Sequence, residues 1–109
     1  MFTRVAFAKG AAEALDAFPR ELASGTIPEA TVNQAGYMLM GSKRTGDAIL
    51  MFRKNVELHP ASWNAYDSLG EAYLKNGDKE LAVKNYQKSV ELEPTNDNGV
   101  AALKKLAPQ

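Results

Sequence analysis

The stretch that decides the fold is WNAYDSLGEAYLKNGDKELAVKNYQKSVELEPTN, residues 63–96. Tyr66, Leu69, Gly70 and Tyr73 lie three, four and seven apart, the spacing of one face of an α-helix. Asn76-Gly77-Asp78 interrupts the pattern. Gly77 suits the left-handed conformation that ends a helix, and Asp78 is placed to cap the next one by accepting a backbone N–H. The stripe resumes through Leu81, Ala82, Tyr86, Ser89 and Val90, with Lys84 and Lys88 on the other face. Pro94 stops it, because proline neither donates to the helix nor fits its next turn. The segment reads as a helix hairpin. Gly70 and Ala82 supply small volume where its two helices approach, and Tyr73 and Tyr86 fill the wider spaces.

The same hairpin is written once more, 34 residues upstream. Residues 29–62 set above 63–96 give identities at Gly36/Gly70, Ala48/Ala82, Lys54/Lys88, Val56/Val90, Glu57/Glu91, Leu58/Leu92 and Pro60/Pro94. Small residues align with small ones, and Phe52 aligns with Tyr86. Thr26-Ile27-Pro28-Glu29 has the form of a capping box that opens the first hairpin. Gly46-Asp47 puts the first hairpin's turn later than Gly77-Asp78 puts the second. Stacked hairpins of this kind form a solenoid, each unit burying its face on the next.

Residues 63–96 closely resemble a tetratricopeptide repeat through the 34-residue period and through Leu69-Gly70, Tyr73, Ala82, Tyr86 and Pro94, with Tyr66 where that family favours Trp. Residues 29–62 resemble it more weakly, through Gly36, Ala48, Phe52 and Pro60. The run from Asn64 to Pro94 also looks like the repeat tails of some bacterial serine hydrolases of the β-lactamase-like and esterase kind. The expected architecture is an all-α, tetratricopeptide-type solenoid of about two and a half repeats with terminal capping helices. It forms one domain: an N-terminal helical segment over 1–28, repeats over 29–62 and 63–96, and a C-terminal capping helix over 97–109. Helices are expected near 29–41, 45–58, 63–76, 79–92 and 97–106. Ala14 and Phe18 lie one period before Ala48 and Phe52, so residues 3–18 read as the second helix of a degenerate earlier unit, ended or kinked at Pro19. Lys104 stands one period after Gly70, where a charged side chain suits a terminal cap that no further helix covers.

Composition removes most chemistry. There is no cysteine and one histidine, His59, which excludes thiolate sites, disulfides and paired-histidine centres. Thirteen Lys+Arg balance thirteen Asp+Glu, without the cationic excess of a nucleic-acid-coating protein. No apolar run reaches the ~18–20 residues of a membrane span, and Val5 to Ala8 is shorter than the ~7–15 apolar residues of a signal peptide. A cytoplasmic location is expected, unless the chain is a fragment of a longer exported protein. Gly41-Ser-Lys-Arg-Thr-Gly46 is followed by Asp47 and Ala48, where a phosphate loop needs Lys and Ser/Thr, so it reads as a polar turn. Asn96-Asp97-Asn98-Gly99 lacks the distal glutamate of a calcium loop and reads as a helix cap. His59, before Pro60, reads as a solvated residue at a helix end. No catalytic residue, metal site or cofactor is expected.

The resemblance implies a non-catalytic interaction module whose first helices line a concave groove for a partner's peptide or helix. On this chain the groove residues would be Asn33, Tyr37 and Met40 from the first unit and Asn64, Asp67, Glu71 and Lys75 from the second. Tyr37 and Met40 would meet the partner's apolar residues, and Asp67 and Glu71 its basic one. The two carboxylates would repel the C-terminal carboxylate that chaperone-binding relatives clamp. The alternatives are an accessory domain detached from or partnering a serine hydrolase, or a self-associating structural protein. A weak homodimer is expected if Phe2, Phe7 and Phe18 leave an apolar N-terminal end uncovered.

Overall fold

The computed structural model describes residues 1–107. It contains α1 (Phe2–Lys9), α2 (Ala11–Ala17), α3 (Pro19–Ser24), α4 (Glu29–Gly41), α5 (Thr45–Leu58), α6 (Trp63–Lys75), α7 (Lys79–Leu92) and α8 (Asp97–Leu106), with no strand among the described residues. Helices α4 and α5 form one hairpin, and α6 and α7 form the next. Helix α6 stacks on α5, and α8 stacks on α7. The fold is thus the all-α helix-hairpin solenoid expected from the period, drawn out to 44 × 27 × 17 Å.

Each hairpin closes on one contact between an aromatic ring and a glycine. A Cβ at Gly70 would lie 3.1 Å from the Tyr86 ring, and one at Gly36 would overlap the Phe52 ring outright. Ala48, Ala82, Phe52 and Tyr86 are all buried. A second device also recurs at the period. The Asn55 side chain donates to the Glu29 carbonyl at 3.0 Å, and 34 residues on the Ser89 hydroxyl donates to the Trp63 carbonyl at 2.8 Å. Each bond ties the end of a hairpin's second helix to the start of its first.

Several local expectations are corrected. The first hairpin turns where the second does. Lys43 takes φ 64 and Gly77 takes φ 88, one period apart, while Gly46 and Asp47 lie inside α5. The same pair of bonds closes both turns: Lys43 N–H to Met40 O at 3.1 Å and Arg44 N–H to Leu39 O at 2.9 Å, matched by Gly77 to Leu74 at 3.0 Å and Asp78 to Tyr73 at 2.8 Å. Neither capping expectation holds at α4 or α7. Thr26 bonds Ser24, and Glu29 bonds the Ser62 hydroxyl, which itself caps α6 by accepting from the Ala65 N–H. Asp78 accepts from the Asn76 amide instead of from its own helix. Leu81 is 42% exposed and sits off the stripe.

Residues 3–18 are not one helix. Gly10, at φ 97, breaks them into α1 and α2, and α3 starts at Pro19 as the expected break there requires. This segment folds back onto the first hairpin, α1 against α4 and α2 against α5. Phe2, Ala6, Ala11, Ala14 and Leu22 join the same buried cluster as Val32, Leu39 and Met51. Phe2 stacks edge-on against Phe18. Arg44 and Asp47 clasp the corner from below. The guanidinium donates to the Phe7 carbonyl at 2.9 Å and to the Ala6 carbonyl at 3.2 Å, completing the end of α1, and pairs with Asp47 at 2.9 Å. Asp47 accepts from the Ala11 N–H that opens α2. The apolar end that motivated a homodimer is therefore covered.

Candidate partner-binding face

Helices α4, α6 and α8 are the first helices of successive units, so their outward faces together form one side of the stack. Tyr37 on α4 reaches across to α6, where its hydroxyl donates to Glu71 Oε1 at 3.1 Å. The ring is half-buried and packs edge-on against Phe52, 5.1 Å between centroids. Burial, with the Glu71 charge adding to it, pushes the Tyr37 hydroxyl up to about 12, so it stays a donor at every ordinary pH.

Asp67 is not open to a ligand. It is 6% exposed, and its carboxylate accepts from Asn96 Nδ2 at 2.7 Å and from Asn98 Nδ2 at 3.0 Å. Asn96 donates its other amide hydrogen to Ser89 Oγ at 2.9 Å and accepts the Gly99 N–H, which caps α8 as the sequence suggests. Asp67 thereby anchors α8 on the second hairpin. The burial of a carboxylate is tolerated because amide donors replace water around it.

Met40 is also withdrawn from the face. It is 5% exposed and belongs to the buried cluster that also holds Phe2 and Ala6 of α1. Its counterpart one period later, Leu74, is 41% exposed. Leu74 lines a cleft of about 320 Å³ with Asn98, Ala101, Ala102, Lys105 and Leu106 of α8. Leu74 and the two alanines are apolar surface on this side of the stack that sequence reasoning missed. The signal was present, since Leu74 is Met40 advanced by 34 residues. What the sequence did not show is that Met40 joins the buried core cluster while Leu74 stays outside it. Of the other expected residues, Asn33 and Glu71 are half-buried, and Asn64 and Lys75 are exposed. Tyr37, Glu71, Leu74 and Lys75 share a continuous stretch of the face. Asn64 lies at the opposite end of α6, three turns from Lys75.

The face offers the Glu71 carboxylate, the Lys75 and Lys105 amines, a phenol and small apolar surface. Among the described residues no group of three or more His, Cys, Asp or Glu is placed to hold a metal ion, and no helix is long and apolar enough to cross a membrane. His59 stands 4.0 Å from Glu29 at the back of the first hairpin, away from the face.

Comparison with known proteins agrees with this arrangement. Residues 63–96 match the family model described as Tetratricopeptide repeat. Over 67 residues the chain is 39% identical to the Hsp70-Hsp90 organizing protein of Triticum aestivum, a match that covers 59% of this chain and 12% of that protein. The chain thus spans only a small part of that relative's length.

Proposed function

We propose that the face formed by α4, α6 and α8 binds a short segment of a partner protein, and that the module performs no chemistry of its own. The observation that carries this reading is the side-by-side presentation of Tyr37, Glu71, Leu74 and Lys75 beside an open apolar cleft. The repeat match and the name of the wheat relative, an organizing protein for Hsp70 and Hsp90, support an adaptor role. The partner segment places apolar side chains against Leu74 and Ala101 and a basic residue against Glu71. A free C-terminal carboxylate is a poor ligand beside Glu71, which repels it.

A photo-reactive amino acid placed at Leu74, and separately at the exposed Arg53 of α5, tests the assignment in lysate. Specific adducts at Leu74 that disappear with Glu71→Lys are expected. Equal labelling at both positions, or labelling indifferent to Glu71, overturns the groove reading.

A further inference from the structure

The chain holds two Asn-Gly pairs, Asn76-Gly77 and Asn98-Gly99. Such a pair is chemically fragile, because glycine has no side chain to shield its main-chain nitrogen from the asparagine amide carbon beside it. Whether that nitrogen reaches the carbon depends on what the fold does with each pair, and it treats the two differently.

Asn98 is locked. It lies in the first turn of α8, and its amide donates to Asp67 Oδ1 at 3.0 Å. The Gly99 nitrogen belongs to a buried residue, and its N–H donates to Asn96 Oδ1 at 3.2 Å. Freeing it would unwind the start of α8 and break the Asp67–Asn96–Ser89 network. Asn76 and Gly77 are both exposed, in the short link between α6 and α7. A Cβ added at Gly77 would meet nothing within 4 Å, so the main chain there has room to move. Two features hold the nitrogen back while the turn is closed: the helical ψ of −5 at Asn76, and the bond from Gly77 N–H to Leu74 O at 3.0 Å. Opening the turn breaks that bond, the Asp78 to Tyr73 bond and the Asn76 amide's bond to Asp78, yet none of residues 76–78 is buried. Exposed turns open locally at far less cost than the whole fold.

We propose that Asn76 is a site of spontaneous deamidation and that the fold protects Asn98 from the same reaction. This inference does not rest on the α4–α6–α8 face. In the opened turn the Gly77 nitrogen gives its proton to solvent and bonds to Asn76 Cγ. The Cγ–Nδ2 bond breaks and ammonia leaves, giving a cyclic imide. Water then adds to one imide carbonyl and breaks its bond to nitrogen, leaving aspartate or isoaspartate at position 76. Either product replaces the amide that donates to Asp78 at 2.8 Å with a second carboxylate, at the negative end of the α6 dipole. Isoaspartate also lengthens the main chain by a methylene inside the turn. The second hairpin is thereby weakened, whereas the first carries Ser42-Lys43 at the same places and has no amide to lose.

The test ages the full chain in mildly alkaline buffer, folded and in parallel unfolded in urea. Peptide mapping reads the mass gain of an amide turned to an acid, and a methyltransferase specific for isoaspartate reads that product. Unfolded, the two pairs should convert at similar rates. Folded, Asn76 should convert roughly tenfold or more faster than Asn98. The aged protein should melt below the fresh one, a shift that Asn76→Ser, which copies the first hairpin's turn, should abolish. Equal rates at the two pairs in the folded chain overturn the proposal, as does an Asn76 that stays intact while the unfolded chain converts. An aged Asn76→Ser that melts earlier by the same amount places the damage elsewhere and also overturns it.

Discussion

The two hairpins share a backbone but differ in what surrounds them. The first is clasped on one side by α1 and α2 and on the other by α6, so Phe52, Met51 and Leu39 are fully buried. The second has α5 on one side and only the single helix α8 on the other, and its ring Tyr86 keeps 3% exposure. Their polar seams differ as well. Asp67, Ser89 and Asn96 form a closed network in the second, whereas the corresponding Asn33 and Asn55 each keep a buried side-chain oxygen with no donor among the described residues. A repeat sequence therefore sets position in the unit, and neighbours set how tightly that position is held.

The largest effects should come from the rings. Phe52→Ala and Tyr86→Ala should each cost about 3–5 kcal/mol in urea unfolding, with Phe52 the greater because it joins three layers. A smaller loss for Phe52 than for Tyr86 would break the comparison. Gly36→Ala should follow at about 1–3 kcal/mol, since its Cβ would overlap Phe52. Gly70→Ala should be much milder, because the Tyr86 ring stands 3.1 Å off and the gain in helix propensity offsets the crowding.

The turns invert the sign. Lys43 holds a left-handed conformation that costs a non-glycine residue about 1 kcal/mol, so Lys43→Gly should stabilise by up to that amount while Gly77→Ala destabilises comparably. Equal and opposite midpoint shifts would sharpen the equivalence of the two turns.

Alkali should act on both hairpins, through Tyr37 in the first and Tyr86 in the second. Burial, reinforced by Asp67 and Glu71, pushes the Tyr86 hydroxyl up to about 12, well above the usual value of about 10. Its neutral form thus contributes stability that is present below pH 10 and lost as pH rises through 12. Phe52, at the same place in the first unit, does not titrate. Tyr86→Phe should remove its share of the loss of stability above pH 10 and leave that of Tyr37, as followed by circular dichroism, and a profile unchanged by it would refute this assignment. Lys84→Ala, exposed on the outer face, should stay within about 0.5 kcal/mol.

Much of this was legible in advance. The five helices from Glu29 onward match their expected bounds to within a residue, because periodic apolar spacing, turn residues and Pro60 and Pro94 all act locally. The misses concern competition between partners. Glu29 bonded the Ser62 hydroxyl, which folding brings to it from the next unit, and Asp78 took the amide of Asn76, two residues before it. Gly46-Asp47 suggested a later turn than the expected helix bounds left room for, and the structure follows the bounds, with the left-handed residue at Lys43.

The sequence by itself determined the hairpin and its period, because these depend on residues a few turns apart, whereas it set Gly70 against Ala82 and the packing set it against the Tyr86 ring. Tertiary structure alone decided that Met40 is core while Leu74 is surface, that Asp67 is a structural anchor, and that Tyr37 reaches Glu71. Those outcomes depend on which helix covers which face. Equal positions in a repeat meet unequal neighbours at the ends of the stack, and exposure follows the neighbour.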